Sequence, residues 1–236
     1  MFANNAVALI ASFGLALAWL RIVDFTAHRG WVSGPISRKI IHIGTGPLFV
    51  LTWLFFKDTP SARFLAALIP LAITAQFALV GLGLWRDPAA VQAMSRTGDR
   101  REILRGPLSY GSAFIALTLI YWIDSPISIV ALMLLCGGDG LADIVGKLFG
   151  TARLPWSKKK SWAGTAAMFA GGWLLSLLVL AIYLAQGVFP GTLLSYLPAL
   201  TLIALAATAI ESLPLNDLDN LTVPLTAVVL GHLLFV

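Results

Sequence analysis

Runs of apolar residues recur along this chain from one end to the other. Spanning the hydrocarbon core of a bilayer takes about 20 such residues in a helix. A helix also satisfies its own backbone polar groups where no water is present. The runs fall at about 3–22, 39–56, 62–84, 107–123, 126–149, 162–186, 191–211 and 219–236. They predict an all-α polytopic membrane bundle of about eight transmembrane helices, a single integral membrane domain over residues 1–236. Composition agrees, because 58% of the residues are hydrophobic and only 11% charged, whereas soluble domains carry about 25% charged residues. The membrane lipid is therefore the first expected partner, and no nucleic-acid partner is indicated.

The few charges are placed unevenly. Arg21, Arg29, Arg38, Lys39, Arg86, Arg96, Arg100, Arg101, Arg105, Lys147, Arg153, Lys158, Lys159 and Lys160 all fall in the odd-numbered connections. Only Lys57 and Arg63 fall in the even ones. Basic loops stay in the cytoplasm, so both chain ends are expected outside and the basic face inside. The opening residues lack the positive n-region of a signal peptide, so the first run is read as a retained helix. The single cysteine, Cys136, allows no intrachain disulfide.

One stretch departs from the pattern. "GGDGLADIVGKLFGTARLPWSKKKSWAGT", residues 137–165, sets two aspartates, several glycines and three lysines between apolar runs. Pro126 suits the first turn of a helix, and from there Asp139 lies about 20 Å along the axis and Asp143 about 26 Å. In a core about 30 Å thick both sit just below the cytoplasmic boundary. Their i, i+4 spacing puts them on one face, where two carboxylates repel unless a cation lies between them. Hard oxygen ligands, few in number, suit Mg2+ that takes its other ligands from water and phosphate. Gly137, Gly138 and Gly140 permit close approach of backbone or ligand. Arg153 and Lys158–Lys160 lie within reach of anionic oxygens. Ser161 can cap the next helix, whose N-terminus also attracts phosphate. The bland alternatives are that the lysines are interfacial anchors and that Gly146 and Gly150 form a helix-packing face. Anchoring does not explain Asp139, Asp143, Glu211, Asp217 and Asp219, since acids at membrane depth are functional by default.

Here the residues resemble a known family. "GDGLADIVGKLFG…LPWSKKKSWAGT" is similar to the nucleotide-binding signature of the CTP-dependent polyprenol kinases, and distantly to that of phosphatidate cytidylyltransferases. The matching positions are Gly138, Asp139, Ala142, Asp143, Gly146, Gly150, Lys159, Lys160, Ser161, Gly164 and Thr165. "RKIIHIGTG", "SRTGDRREILRGPLSYG" and "LDNLTVP" resemble segments of the phytol kinase branch, so the likeness runs from about Arg38 to Pro224. Ala163 stands where the dolichol branch tends to carry Glu.

The resemblance implies Mg2+-dependent transfer of the γ-phosphoryl of CTP, or another nucleoside triphosphate, to the hydroxyl of phytol or a related prenyl alcohol. In phototrophs that reaction would return phytol to tocopherol or chlorophyll synthesis. Asp139 and Asp143 would hold the metal. Lys159 and Lys160, with Lys158 and Arg153, would neutralise phosphoryl charge. Gly138, Gly140 and Gly164 would make room for phosphates, with Ser161 and Thr165 beside them, and Asp219 and Asn220 would add metal or nucleotide contacts. His42 is either an interfacial structural residue at a helix start or a contact to the alcohol or its proton, because imidazole exchanges protons near neutral pH. Arg38 and Lys39 either bind phosphate or anchor the helix. Arg105 is similarly divided, and Glu102 and Arg105 are spaced to pair on a helix surface. The nearest rival reaction is cytidylyl transfer to a lipid phosphate, which releases pyrophosphate. A more distant one is ion-coupled transport, which predicts midplane charges and repeated halves that this sequence lacks.

Overall fold

The computed structural model describes residues 4–32, 34–95, 97–215 and 218–235. Ten α-helices and one small hairpin follow in order: α1 Asn5–His28, α2 Gly34–Thr52, α3 Ala62–Leu82, α4 Pro88–Met94, α5 Gly106–Ile120, α6 Pro126–Met133, α7 Asp139–Phe149, β1 Arg153–Leu154, β2 Ser157–Ser161, α8 Trp162–Ala185, α9 Leu193–Ser212 and α10 Asp219–Leu234. Among the described residues, six segments are long and apolar enough to cross a membrane: Asn5–His28, Ala62–Leu82, Arg100–Ile120, Pro126–Phe149, Trp162–Ala185 and Leu193–Ser212. Lys39–Phe55 and Asp219–Leu234 are shorter apolar helices. The mainly helical membrane architecture expected from the sequence is thus present, and six of the eight apolar runs correspond to segments long enough to span.

Local chemistry sets the helix ends. Asn4 caps α1 by accepting from the Ala6 amide at 2.8 Å. Ser125 caps α6, and Pro126 follows in its first turn, as expected. Gly83, at φ 81°, closes α3 in a conformation that glycine adopts without strain. The two long connections are not plain loops. Residues 85–106 contain α4 and a 3-10 turn, Arg100–Leu104, while 153–161 form the β1–β2 hairpin.

The segment from α6 to α7 is the axis of the bundle. Every residue from Pro126 to Gly138 is buried. A helix that is apolar all round belongs inside, and α2, α8 and α10 pack around this one. By contrast, α1, α3 and α9 present Ile10, Phe64 and Leu194 outward, as lipid-facing helices do. Between α6 and α7 the chain makes a π-turn over Leu134–Gly138. Such turns insert an extra residue into the helix and occur frequently at functional sites. Here the turn delivers the chain directly to Asp139.

Helix α8 crosses this axis on glycine. A Cβ on Gly171 would meet the Gly137 carbonyl at 2.8 Å, and one on Gly172 would meet Leu134 Cδ2 at 2.6 Å. At Gly146, a Cβ would lie 3.6 Å from Gly164 Cα and 3.5 Å from Ser161 Oγ. This is close helix packing through small residues. At the far end of the bundle, Trp122 packs tilted on Trp53 and edge-on to Phe56, and Arg63 pairs with Asp124.

Candidate active site

Two clusters of charge meet at one end of the bundle. The first is built on α2 and α7. Asp139 opens α7 immediately after the π-turn, and Asp143 stands one turn later. The i, i+4 spacing turns both carboxylates to the same face, as expected. Lys39 reaches across from α2, its Nζ 3.5 Å from Oδ2 of Asp139 and 3.5 Å from Oδ2 of Asp143. The two acids therefore converge on one point, and a cationic group sits there. Lys147 pairs with Asp143 from the next turn at 2.8 Å.

His42 stands beside this pair. Its Nε2 is 3.3 Å from Asp139 Oδ2 and 3.3 Å from the Leu135 carbonyl oxygen. Both neighbours accept and neither donates, so Nε2 carries the proton. The ring packs on Tyr110 with centroids 4.4 Å apart, and the Tyr110 hydroxyl donates to the His42 carbonyl at 3.2 Å. That hydroxyl is also 3.0 Å from the thiol of buried Cys136. His42 lies two turns into α2 rather than at a helix start, because the helix begins earlier, at Gly34. Sequence reasoning missed Tyr110; the "LSYG" segment that resembles the phytol kinase branch was its only signal.

The second cluster joins β2, α9 and α10. Lys160 Nζ is 2.8 Å from Glu211 Oε1 and 3.0 Å from Asp219 Oδ2, and it also donates to the Glu211 carbonyl. Burial alone would lower the Lys160 pKa, but hydrogen bonds and charge from Glu211 and Asp219 outweigh it and hold the value above the usual lysine range. Lys160 is therefore a fixed positive charge. Glu211, only 6% exposed, was an unexplained acid in the sequence and is here the main partner of Lys160.

Other candidates separate by location. Lys158 and Lys159 project from the hairpin into the open, and Arg153 donates to the Lys159 carbonyl at 2.9 Å. Ser161 caps α8, accepting from the Gly164 amide at 3.2 Å. Thr165 Oγ1 is buried without a hydrogen-bond partner, the condition of an atom whose partner is a ligand or water. Asn220 donates to the Gly106 carbonyl at 3.0 Å, tying α10 to the start of α5. Exposed Arg105 lies at that same junction.

The three glycines expected beside phosphate face helices. A Cβ on Gly138 would strike Met168 at 2.6 Å, one on Gly164 would lie 3.0 Å from the Ala142 carbonyl, and one on Gly140 would run into Ile43 and His42. Glu102 accepts from Thr97 at 2.9 Å. The Arg38 side chain, together with Arg96 and Asp217, lies outside the described residues.

The donor set fits a hard divalent cation. Two carboxylates turned to one point are hard oxygen donors of the kind that suit a magnesium ion whose other ligands come from water and phosphate. Among the described residues no group of three or more His, Cys, Asp or Glu side chains gathers as a closed metal cage.

Comparison with known proteins gives a consistent result. The chain is 41% identical over 234 residues to a protein of Triticum aestivum described as a probable phytol kinase, chloroplastic, covering 98% of this chain and 78% of that one. A probable phytol kinase of Zea mays is 38% identical over 98% of this chain and 77% of its own length. Phytol kinase 1, chloroplastic, of Arabidopsis thaliana is 34% identical over the same shares. No family model matches the chain, and no solved structure matches it. With that identity sustained over nearly its whole length, the chain is an enzyme that belongs to the phytol kinase family.

Proposed function

We propose that this protein transfers the γ-phosphoryl group of a nucleoside triphosphate, CTP by the signature it carries, to the hydroxyl of phytol. The observation that carries this reading is the convergence of Asp139 and Asp143 on one point at Lys39. The relatives supply the acceptor, since they are phytol kinases.

Phosphoryl transfer needs positioning and charge neutralisation more than covalent chemistry. The alcohol oxygen forms a bond to the γ-phosphorus while the bond to the β,γ-bridging oxygen breaks. The nucleoside diphosphate leaves, and the hydroxyl proton passes to the transferred phosphoryl group. Asp139 and Asp143 would hold Mg2+, which when bound supplies charge neutralisation on the phosphate oxygens. Lys39, already at that point, would turn its ammonium to the phosphates. Lys160 is kept charged and in place by Glu211 and Asp219. Lys158, Lys159 and Arg153 extend the positive field towards the aqueous nucleotide, and Ser161 and Thr165 offer hydroxyls at the α8 N-terminus. His42 orients the Asp139 carboxylate through its Nε2 proton. The long apolar alcohol is delivered by the bilayer, where each buried CH2 is worth about 0.8 kcal/mol.

The test is purified protein in lipid with Mg2+, phytol and γ-32P-labelled CTP, UTP or ATP. Label is expected in a lipid-soluble monophosphate, with CTP the best donor. Release of pyrophosphate from CTP with phosphatidate, and no label on phytol, would make the enzyme a cytidylyltransferase instead.

A further inference from the structure

A groove of about 490 Å³ runs between α9 and α10 on the outer surface of the bundle. It falls within the size range of small-molecule sites, about 300–1,000 Å³. It is lined by the small side chains of Ala206, Ala209 and Thr226 and the larger ones of Ile210, Leu225 and Leu230. Leu225 is 61% exposed and Val229 beside it 53%, so the groove opens sideways towards lipid.

The groove leads to the charged cluster. Thr226 and Leu230 lie on the same face of α10 as Thr222 and Asp219, because steps of three and four residues return to one helical face. Asp219 holds Lys160 at 3.0 Å. At about 1.5 Å per residue, the groove residues of α10 begin roughly 9 Å below Asp219 and end roughly 16 Å below it. The hydroxyls of Thr222 and Thr226 are both turned into their own helix, donating to the Leu218 and Thr222 carbonyls. The path up to Asp219 is therefore apolar in effect until the carboxylate is reached.

We propose that this groove is the binding site for the isoprenoid tail of the acceptor alcohol, with the hydroxyl at the Asp219–Lys160 end. The proposal rests on the kinase reading for the identity of the ligand. An alcohol of this class has one polar atom at the end of a methyl-branched hydrocarbon. The branches need width, which the alanines provide, and the single hydroxyl needs a polar contact at one end only. The groove offers that contact at its charged end and none along its length. Entry from the side lets the tail arrive from the bilayer without crossing water.

The experiment is photolabelling of the full chain in lipid nanodiscs with a phytol analogue carrying a diazirine near the tail end, followed by peptide mapping. Labels are expected on residues 206–210 and 225–230. Excess phytol should suppress them, and phytane, the matching hydrocarbon without a hydroxyl, should not. Ala209→Phe, at an exposed position, should remove the labelling while protein yield and nucleotide binding stay the same. Labels in the groove that phytol does not suppress would mean an ordinary acyl chain or a second copy of the chain lies there, and would overturn the proposal. Suppressible labels confined to other helices would overturn it equally. Labelling is read without turnover, so the two readings fail separately. Suppressible groove labels on a chain that phosphorylates no alcohol would keep the groove and remove the kinase. An active kinase labelled elsewhere would do the reverse.

Discussion

Asp139 makes the narrowest test of the site. Asp139→Asn keeps the side-chain volume and can still accept from His42, but it removes one of the two charges that converge on Lys39. Turnover is expected to disappear while the protein still inserts and elutes as a monodisperse species; retention of full activity would take Asp139 out of the mechanism. Lys160 behaves differently, because its partner Glu211 is buried. Lys160→Met leaves that carboxylate without its cation, and breaking a buried pair from one side costs about 3–5 kcal/mol. A large fall in thermal stability in detergent is expected. Adding Glu211→Gln should recover most of the stability and none of the activity, since the positive charge at the site is still missing. If the double variant regains activity, Lys160 is a structural residue only. The sign of the pH effect follows from the raised Lys160 pKa. The pair's stabilisation is complete below the ordinary lysine value, about 10.4, and is lost only as pH rises through the higher folded value. Melting temperature should therefore show no step from this group between pH 6 and 9.

At the scale of elements, the crossing of α8 over the central helix holds the two clusters in register. Gly171 has no room for a side chain, since a Cβ there would press on the Gly137 carbonyl and on Leu141 Cδ1 at 2.6 Å. Backbone cannot yield as a flexible side chain can. Gly171→Val is expected to force α8 away from the π-turn, lowering stability by about 2–3 kcal/mol and activity along with it. Gly146→Ala should be nearly neutral in both, because the new methyl would meet only ordinary contacts near 3.5 Å. Thermal melts and specific activity of the two variants check this ordering, and equal damage from both would contradict it. The comparison also marks how far an element can be read from sequence. Apolar length located every helix except α4, which lies in the connection 85–106; Pro126 located the start of α6, and Ser161 the cap of α8. The π-turn at Leu134–Gly138 was not legible, because "LLCGG" has the composition of any buried helix and its extra residue is decided by packing against α2 and α8. The glycines were legible as places of close approach, but not what approaches. The Cβ positions of Gly138, Gly140 and Gly164 point at neighbouring helices.

For the molecule as a whole, the charge bias along the chain becomes a statement about which end of the bundle carries the chemistry. Lys39, Asp139, Lys160 and Asp219 come from four separate segments, and three-dimensional packing gathers them at one end. The sequence could place each near a helix end by counting residues. It could not pair Lys39 with Asp139, or Lys160 with Glu211, because those contacts cross between elements up to 100 residues apart in the chain. The opposite end carries Arg63 with Asp124 and Tyr121 with His232, 2.9 Å apart. If the basic loops face the cytoplasm, the site end must face it too. This can be measured directly, because the chain has a single cysteine and that residue is buried. In a Cys136→Ala background, Lys158→Cys reports the site end and Lys57→Cys the opposite end. Both positions are exposed, and neither takes part in the two charge clusters. An impermeant maleimide added to intact spheroplasts should label Lys57→Cys and spare Lys158→Cys. Inverted vesicles should give the reverse. Labelling of Lys158→Cys from the outside would place the nucleotide site away from the cytoplasmic nucleotide pool. Labelling of both positions from one side would mean that an even number of crossings separates segments now drawn with three, and would redraw the segments between Ala62 and Phe149.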